Sequence, residues 1–262
     1  MKIFCVIGNP IEHSVSPLMH NAAYKAFGIN ANYTKILLED SGKLRETLLK
    51  FEGANVTVPH KESAFSACDE ILGIAKNIEA VNTIVKKNDK LIGFNTDAAG
   101  FFEAIKEFGK IENALILGAG GAAKAIAFIL RQNGIEPAIL NRSAERLEFF
   151  KQKGFKSFSW EYFAPEKYDI VINTTSAGLK DNALPAPEKI LNQTLKNARF
   201  GFDAVYNKKT PFLKLCDEFG LKCKDGLDML LYQAVFAFNI FFDNAYDETK
   251  IAQIMRKSLL NI

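Results

Sequence analysis

Residues 114–130, ALILGAGGAAKAIAFIL, constrain the fold more than any other stretch of the sequence. A short apolar run is followed at once by a glycine-rich turn, and then by small and apolar residues with the composition of a helix. The turn begins at Gly118 and fits the pattern G-x-G-x-x-[GA], with Ala123 at its last position. A strand, a tight turn and a helix in immediate succession are typical of a βαβ unit in a parallel sheet.

Strand-like and helix-like patterns alternate along the rest of the chain, which predicts an α/β fold. A chain of 262 residues is long enough for two domains. We place the boundary in a helix near residue 100, so that residues 1–100 form one domain and residues 101–238 a Rossmann-type domain. Predicted strands cover 2–8, 32–38, 54–58, 137–142, 168–175 and 199–206, predicted helices cover 17–27 and about 43–51, and a hairpin turn is predicted at Asn88-Asp89.

The glycine turn predicts a dinucleotide site. Gly118 permits a tight turn, Gly120 lets the backbone approach a pyrophosphate, and the small Ala123 allows a close helix–strand contact. The first amides of the helix then face the phosphates. The alternative is a glycine turn that serves packing alone. The predicted phosphate-binding backbone comprises Gly118, Ala119, Gly120, Gly121 and Ala122.

The residues after the next strand predict which dinucleotide binds. NAD-binding folds usually end that strand with an acidic residue that accepts from the ribose 2′-OH, but this chain has Asn141 there. Arg142 and Arg146 are four residues apart, flank Ser143, and can converge on one phosphate, which guanidinium groups bind bidentately. The alternative is a solvated helix face on which both arginines pair with nearby glutamates. Beside the glycine turn, the pattern favours NADP.

Charge and residue usage exclude other classes of partner. The net charge of +3, without a dense Lys/Arg run, argues against nucleic acid. Four cysteines without C-x-x-C spacing and three histidines early in the chain predict no metal site. No apolar run approaches the ~20 residues that span a bilayer, and the N-terminus lacks the pattern of a signal peptide. We therefore expect a cytoplasmic protein with small-molecule ligands. A monomer or homodimer is our expectation for its oligomeric state, which these features do not determine.

Polar residues interrupt the strand ends of the first hundred residues. Ser14 and Ser16 lie on one side of an extended loop, and Thr57 ends a predicted strand. Each also has a purely structural interpretation, because Ser16 precedes Pro17 as a helix N-cap would and a β-branched residue suits a strand.

Three further polar residues in this region are candidates. Asn82 lies in an apolar strand and needs a polar partner if it is buried. Asp97 precedes a predicted helix, where N-capping is the structural alternative. Lys61 lies in a first helical turn, where a cation opposes the helix dipole, so a purely structural role is unfavourable.

Together these stretches make the chain resemble the shikimate dehydrogenase family along nearly its whole length. The blocks that match in order and spacing are GNPIEHSVSP (8–17), NVTVPHKE (55–62), AVNT (80–83), GFNTD (93–97), GAGGAAKA (118–125), NRSAER (141–146), NTTSAGL (173–179) and the run from Gly226 to Ala234. Trp160, the single tryptophan, lies outside all of them, and we interpret it as a packing residue.

The resemblance implies an N-terminal substrate domain, to which residues 239–262 return, an NADP-binding domain, and a cleft between them. It implies that Lys61 and Asp97 are catalytic and that the substrate is held by Ser14, Ser16, Thr57, Lys61, Asn82, Asp97, Tyr206 and Gln233. It places Thr175, Ala204 and Gly226 near the nicotinamide.

The activity that the resemblance implies is the reversible, NADPH-dependent reduction of 3-dehydroshikimate to shikimate. Lys61 would donate a proton to the carbonyl oxygen as the hydride arrives. One alternative is a quinate/shikimate dehydrogenase that uses NAD, and another is a non-catalytic protein that senses shikimate or quinate. A dehydrogenase acting on a folate is more distant, because its site would not need the Ser14/Ser16 pair.

Overall fold

A computed structural model of the chain describes residues 1–260. Contacts divide the chain into two units: Met1–Gly100 together with the residues from Leu230 onward, and Phe101–Met229. The sequence-based division placed the second boundary at 238/239, whereas the structure places it inside the helix Leu227–Phe241. That helix has no glycine or proline, so the sequence offers no signal for a boundary within it.

The strands and helices alternate as the sequence predicts. The strands are β1 (Lys2–Gly8), β2 (Ala31–Leu37), β3 (Gly53–Val56), β4 (Glu70–Ile71), β5 (Thr83–Lys87), β6 (Lys90–Phe94), β7 (Asn113–Leu117), β8 (Glu136–Asn141), β9 (Lys156–Ser159), β10 (Ile170–Asn173), β11 (Phe200–Asp203) and β12 (Lys222–Lys224). The helices are α1 (Ser16–Ala26), α2 (Leu44–Leu48), α3 (Lys61–Ala67), α4 (Ala75–Ile78), α5 (Asp97–Ile105), α6 (Gly121–Gln132), α7 (Glu148–Gln152), α8 (Glu188–Leu195), α9 (Pro211–Glu218), α10 (Leu227–Phe241) and α11 (Glu248–Leu259).

The first unit is built on a mixed sheet with the order β2-β1-β3-β5-β6-β4. Strands β2, β1 and β3 are parallel, and β5 runs antiparallel to both β3 and β6. The predicted hairpin joins β5 to β6, and Asn88 and Asp89 both adopt positive φ, which asparagine and aspartate tolerate better than other side chains. The loops after β1 and β3 therefore lie side by side at one edge of the sheet.

The core of the first unit joins α1, the C-terminal helices and the sheet. Helix α11 packs against α1, and Phe4, Tyr24, Phe238 and Phe241 meet in one aromatic cluster. These four side chains come from β1, α1 and α10, so burial of their rings anchors the C-terminal residues to the N-terminal sheet.

The second unit is an all-parallel sheet with the order β12-β11-β10-β7-β8-β9. The chain starts in the middle at β7, moves out to β9, and then returns across β7 to β10. This order is that of a doubly wound dinucleotide fold, in which the direction of strand addition reverses between β7 and β10. Ligands bind such sheets at the carboxyl ends of the strands beside that switch.

None of the helices among residues 1–260 is both long enough and apolar enough to cross a membrane.

Candidate active site and cofactor cavity

Lys61 and Asp97 form an ion pair in the first unit. The Lys61 ammonium donates to Asp97 Oδ2 at 2.5 Å, and the two side chains are only 18% and 10% exposed. Lys61 is the first residue of α3 and Asp97 the first residue of α5, so each helix start presents one member of the pair. The Asp97 carboxylate is engaged with Lys61 and Asn82, which the alternative of a simple N-cap does not explain.

A buried hydrogen-bond network fixes the other oxygen of Asp97. Asn82 Nδ2 donates to Asp97 Oδ1 at 2.9 Å and to Thr96 Oγ1 at 3.0 Å, while the Thr96 amide donates to Asn82 Oδ1 at 2.8 Å. All three residues are at most 7% exposed. Asn82 thus finds the polar partners that its burial requires, and it leaves the Asp97 carboxylate one defined orientation.

The network continues away from the ion pair through residues that the sequence did not single out. Thr83 Oγ1 and Thr96 Oγ1 lie 3.1 Å apart, Asn55 Nδ2 donates to Thr83 Oγ1 at 2.9 Å, and the Tyr33 hydroxyl donates to Asn55 Oδ1 at 2.6 Å. Burial raises the pKa of Tyr33 well above its usual value, so the phenol stays protonated and remains a donor. These contacts join strands that are distant in sequence, so no local sequence signal could have found them.

The two serines and Thr57 lie in the neighbouring loops after β1 and β3. Ser14 Oγ donates to Ser16 Oγ at 3.3 Å, and the Gly8 backbone lies against the Thr57 methyl group. The interpretation of Ser16 as a helix N-cap is wrong, because α1 already includes Ser16 and the Met19 amide donates to the Val15 carbonyl. With no capping bond to make, the Ser16 hydroxyl remains available to a ligand.

The remaining two predicted substrate residues lie in different units. Gln233 is a half-buried residue of α10 in the first unit, and its Nε2 donates to the Leu230 carbonyl at 2.8 Å. Its side-chain oxygen therefore stays available to a ligand. Tyr206 belongs to the second unit, where burial raises the pKa of its hydroxyl.

A cavity of about 510 Å³ lies at the carboxyl ends of the second sheet. Most of the predicted cofactor residues line it: Gly118, Ala119, Gly120, Asn141, Arg142, Ser143, Arg146 and Thr175. Gly121 and Ala122 form the first turn of α6 directly after them. The glycine turn is therefore part of an open cavity, and the alternative in which it serves packing alone does not account for this space.

Gly118 and Gly120, the first two glycines of the turn, serve different purposes. Gly118 has φ +108°, and a Cβ there would meet Thr174 Oγ1 at 2.7 Å, so this position accepts only glycine. Gly120 has an ordinary φ, and a Cβ built on it would meet nothing within 4 Å. The open space above Gly120 fits the close approach of a pyrophosphate.

We expect Gly118→Ala to change mainly the stability of the fold and Gly120→Ala mainly the binding of the dinucleotide. Gly118→Ala should lower the free energy of unfolding by about 1–3 kcal/mol because of backbone strain and steric overlap. Gly120→Ala should leave that free energy within about 0.5 kcal/mol of wild type but substantially weaken binding of the dinucleotide. Urea unfolding and calorimetric titration with NADP⁺ measure both quantities. Unchanged NADP⁺ binding by Gly120→Ala would contradict a pyrophosphate at this position.

Arg142 and Arg146 are exposed residues on the rim of the cavity. Arg142 directly follows β8 and Arg146 lies in the 3₁₀ helix 144–147, as the spacing predicts. Within residues 1–260 neither arginine forms an ion pair with a glutamate, so the alternative of a salt-bridged helix face is not supported. Asn141 Nδ2 donates to the Ser143 carbonyl at 2.9 Å, which fixes the turn that carries Arg142.

A buried pair that the sequence analysis missed holds the loops after β10 and β11. Asn173 Nδ2 donates to Asp203 Oδ1 at 2.9 Å, and Asn173 Oδ1 accepts from the amide and hydroxyl of Thr175 at 2.9 and 2.7 Å. The other Asp203 oxygen accepts from Thr210 Oγ1 at 2.5 Å. Burial raises the pKa of Asp203, although these hydrogen bonds oppose the shift.

Ala204 and Gly226 are neighbours in the second unit but do not line the cavity. The Ala204 amide donates to the Asn173 carbonyl at 2.8 Å, and the Gly226 amide donates to the Val205 carbonyl at 3.1 Å. A Cβ on Gly226 would overlap the Ala204 carbonyl group, so glycine is required for this contact. Asn173 links the Ala204 segment to Thr175, because its side-chain oxygen accepts from the amide and hydroxyl of Thr175.

No cluster of three or more histidine, cysteine, aspartate or glutamate side chains that could hold a metal ion occurs in the described part of the chain.

Comparisons with known proteins found extensive similarity in sequence and structure. Residues 6–84 match the family model of the shikimate dehydrogenase substrate binding domain. The chain is 46% identical to a shikimate dehydrogenase (NADP(+)) of Helicobacter hepaticus, over 99% of this chain and 100% of the relative. A shikimate dehydrogenase (NADP(+)) of Helicobacter pylori is 43% identical over 98% of each chain.

A solved structure is similar along the same length. Shikimate 5-dehydrogenase of Thermus thermophilus, in complex with NADP(H) and shikimate, matches with a TM-score of 0.85 and 34% identity, over 98% of this chain and 100% of that chain.

Proposed function

The chain belongs to the shikimate dehydrogenase family, and from that premise we propose that Lys61 and Asp97 carry out the proton transfer of its reaction. It is an NADP-dependent oxidoreductase that interconverts 3-dehydroshikimate and shikimate. The observation that carries the assignment of roles is the Lys61–Asp97 ion pair, which is nearly buried and is held by Asn82.

The proton transfer follows from the charge that develops on the substrate. When bound, NADPH supplies the hydride, and the ketone oxygen gains negative charge as the carbon is reduced. Lys61, as an ammonium with three donors, gives a proton to this oxygen, and as an amine it takes one back in the reverse direction. Asp97 keeps the Lys61 head group in place, and Asn82 keeps Asp97 in place.

The substrate's other polar groups need partners that are fixed before it binds. Ser14, Ser16 and Thr57 offer hydroxyl groups from two adjacent loops, and Gln233 offers an amide oxygen from α10. The family resemblance adds Tyr206 to these proposed substrate residues. Neutral donors and acceptors of this kind select a polyhydroxylated acid because an analogue that lacks a hydroxyl leaves a polar group unpaired.

The residues of the cofactor cavity fit NADP. The helix N-terminus at Gly121 and the open backbone at Gly120 suit the pyrophosphate, and Arg142 and Arg146 suit the 2′-phosphate. Thr175, Ala204 and Gly226 would border the nicotinamide. The alternatives, an NAD-using quinate/shikimate dehydrogenase and a non-catalytic sensor, are not favoured, because Asn141 offers no carboxylate to a ribose 2′-OH and a sensor has no use for a proton-transfer pair.

The proposal extends to the location, binding partners and oligomeric state of this enzyme. The small net charge of +3 and four free cysteines support a cytoplasmic enzyme whose partners are small molecules rather than nucleic acid or membrane. We propose a monomer or homodimer, which light scattering behind a sizing column would distinguish from larger assemblies.

The direct test is a comparison of substrates and cofactors. Purified protein should reduce NADP⁺ rapidly with shikimate, and the rates with quinate or with NAD⁺ should be much lower. Ser14→Ala and Gln233→Ala should each raise the KM for shikimate by about two- to tenfold, since a hydrogen bond contributes about 0.5–1.5 kcal/mol. Their KM for NADP⁺ should change little. Equal activity with quinate and NAD⁺ would favour the broader enzyme, and no activity with any pair would favour the sensor.

A further inference from the structure

Trp160 lies beside Arg142 at the edge of the cofactor cavity. In the parallel pair of β8 and β9, Asn141 aligns with Ser159, so the next residues, Arg142 and Trp160, leave the sheet side by side. Both side chains line the cavity. The interpretation of Trp160 as a packing residue alone is therefore incomplete.

The strand order assigns this side of the cavity to one half of the cofactor. The glycine turn follows β7, the two arginines follow β8, and Trp160 follows β9, all on one side of the switch between β7 and β10. Thr175 follows β10, on the other side of the switch. A dinucleotide crosses such a switch with its pyrophosphate at the glycine turn, so the half that reaches Arg142 also reaches Trp160.

The surroundings of Trp160 suit a flat aromatic base. The indole is half-buried. It packs against the core of the second unit, as does the partly buried Leu184. Leu184 and Pro185 line the same cavity, so with the indole they add apolar surface to a lining that also includes Arg142 and Arg146. Tyr162, two residues further on, is 75% exposed and does not line the cavity. The position of the indole is thus specific to residue 160 rather than general to this segment.

We propose that Trp160 forms one wall of the adenine subsite, with its indole in contact with the base of the bound cofactor. The inference rests on the proposed NADP function. Arg142 and Arg146 bind the 2′-phosphate, while the indole supplies apolar contact area to the base, at low entropic cost because the core already holds it. Trp160 thereby strengthens binding of either nicotinamide dinucleotide, and the arginines alone distinguish NADP from NAD.

The chain's single tryptophan makes the contact directly observable. Excitation selective for tryptophan, during titration with adenosine 2′,5′-bisphosphate, should show saturable quenching of Trp160 emission. Nicotinamide mononucleotide, which lacks the adenine, should leave the emission unchanged. Calorimetry of the same wild-type protein with NADP⁺ establishes that the cofactor binds.

Variants then separate contact with the base from general packing. Trp160→Ala should raise the Kd for NADP⁺ by about tenfold, as expected for the loss of one base–aromatic contact. Trp160→Phe should restore most of the affinity, and Tyr162→Ala should match wild type. The KM for shikimate should not change in any of them, whereas a variant with a damaged fold would lose both. Thermal unfolding of each variant verifies that it folds. The quenching experiment uses the wild-type protein, so it does not depend on whether the variants fold.

Two results would overturn the inference in distinguishable ways. If NADP⁺ binds, but adenosine 2′,5′-bisphosphate does not quench Trp160 and Trp160→Ala retains wild-type affinity, the base lies elsewhere and only the inference fails. If neither NADP⁺ nor adenosine 2′,5′-bisphosphate binds the wild-type protein, the proposed cofactor function fails and takes the inference with it.

Discussion

Lys61→Met is expected to lower kcat for shikimate oxidation by about 10²–10⁴-fold, the usual contribution of general acid–base catalysis. Methionine keeps most of the volume of the lysine stem but cannot transfer a proton. The proton moves only along the reaction path, so the KM for shikimate should change less than kcat. NADPH binding, which depends on residues of the second unit, should not change. Steady-state kinetics and calorimetric titration with NADPH measure these quantities.

The variant also leaves Asp97 without its cation, which must be separated from the loss of the proton donor. The Asp97 side chain is only 10% exposed, so an unpaired carboxylate there should lower stability, although Asn82 still donates to it. The double variant Lys61→Met/Asp97→Asn removes the unpaired charge and should recover stability while kcat stays low. Its loss of kcat should be smaller than the product of the two single losses, because the pair acts as one unit.

Lys86 provides a matched control. It is another half-buried lysine of the first unit, and its ammonium donates to the Leu49 carbonyl at 2.9 Å. Lys86→Met should therefore keep near-normal kcat. If Lys61→Met also keeps near-normal kcat, Lys61 only orients the substrate and the proposed proton transfer is wrong.

Much of the fold could be predicted because local patterns determine it. The apolar run before Gly118, the glycine turn and the small residues after it specify β7 and α6 without help from the rest of the chain. Asn88-Asp89 fixes the β5–β6 hairpin in the same way, because few other residues tolerate positive φ. In contrast, β4 has two residues and β12 has three. Strands this short do not show the alternation of apolar and polar residues by which a strand is predicted.

The parts of the site that could not be predicted depend on which strands are neighbours. Nothing near Tyr33 or Asn55 in the sequence indicates a link to Asp97, since the link crosses β2, β3 and β5 through side-chain hydrogen bonds. Asn173 and Asp203 meet only because β10 and β11 are paired. Trp160 reaches the cofactor cavity only through the register of β8 with β9. A sequence identifies such residues as polar or aromatic, but strand order decides what they contact.

Replacement of both rim arginines, Arg142 and Arg146, should remove the enzyme's preference for NADPH over NADH. Arg142→Ala/Arg146→Ala should raise the Kd for NADPH by about 100-fold, because hydrogen bonds to charged groups contribute about 1.5–3 kcal/mol each and both arginines are exposed, which favours the low end. The Kd for NADH should change little, since NADH has no 2′-phosphate. Calorimetric titration with both cofactors measures the ratio.

Salt provides an independent check on the same contact, because an exposed ion pair is screened by added electrolyte. The Kd of the wild-type protein for NADPH should rise with salt more steeply than its Kd for NADH, and the double variant should lose this difference. Arg199→Ala is the control, since Arg199 is an exposed arginine of the same unit whose guanidinium pairs with Asp169 outside the cavity. It should bind both cofactors as wild type does. Equal weakening of NADPH and NADH by the double variant would mean that the arginines support the cavity as a whole, and the selectivity for NADP would then require another source.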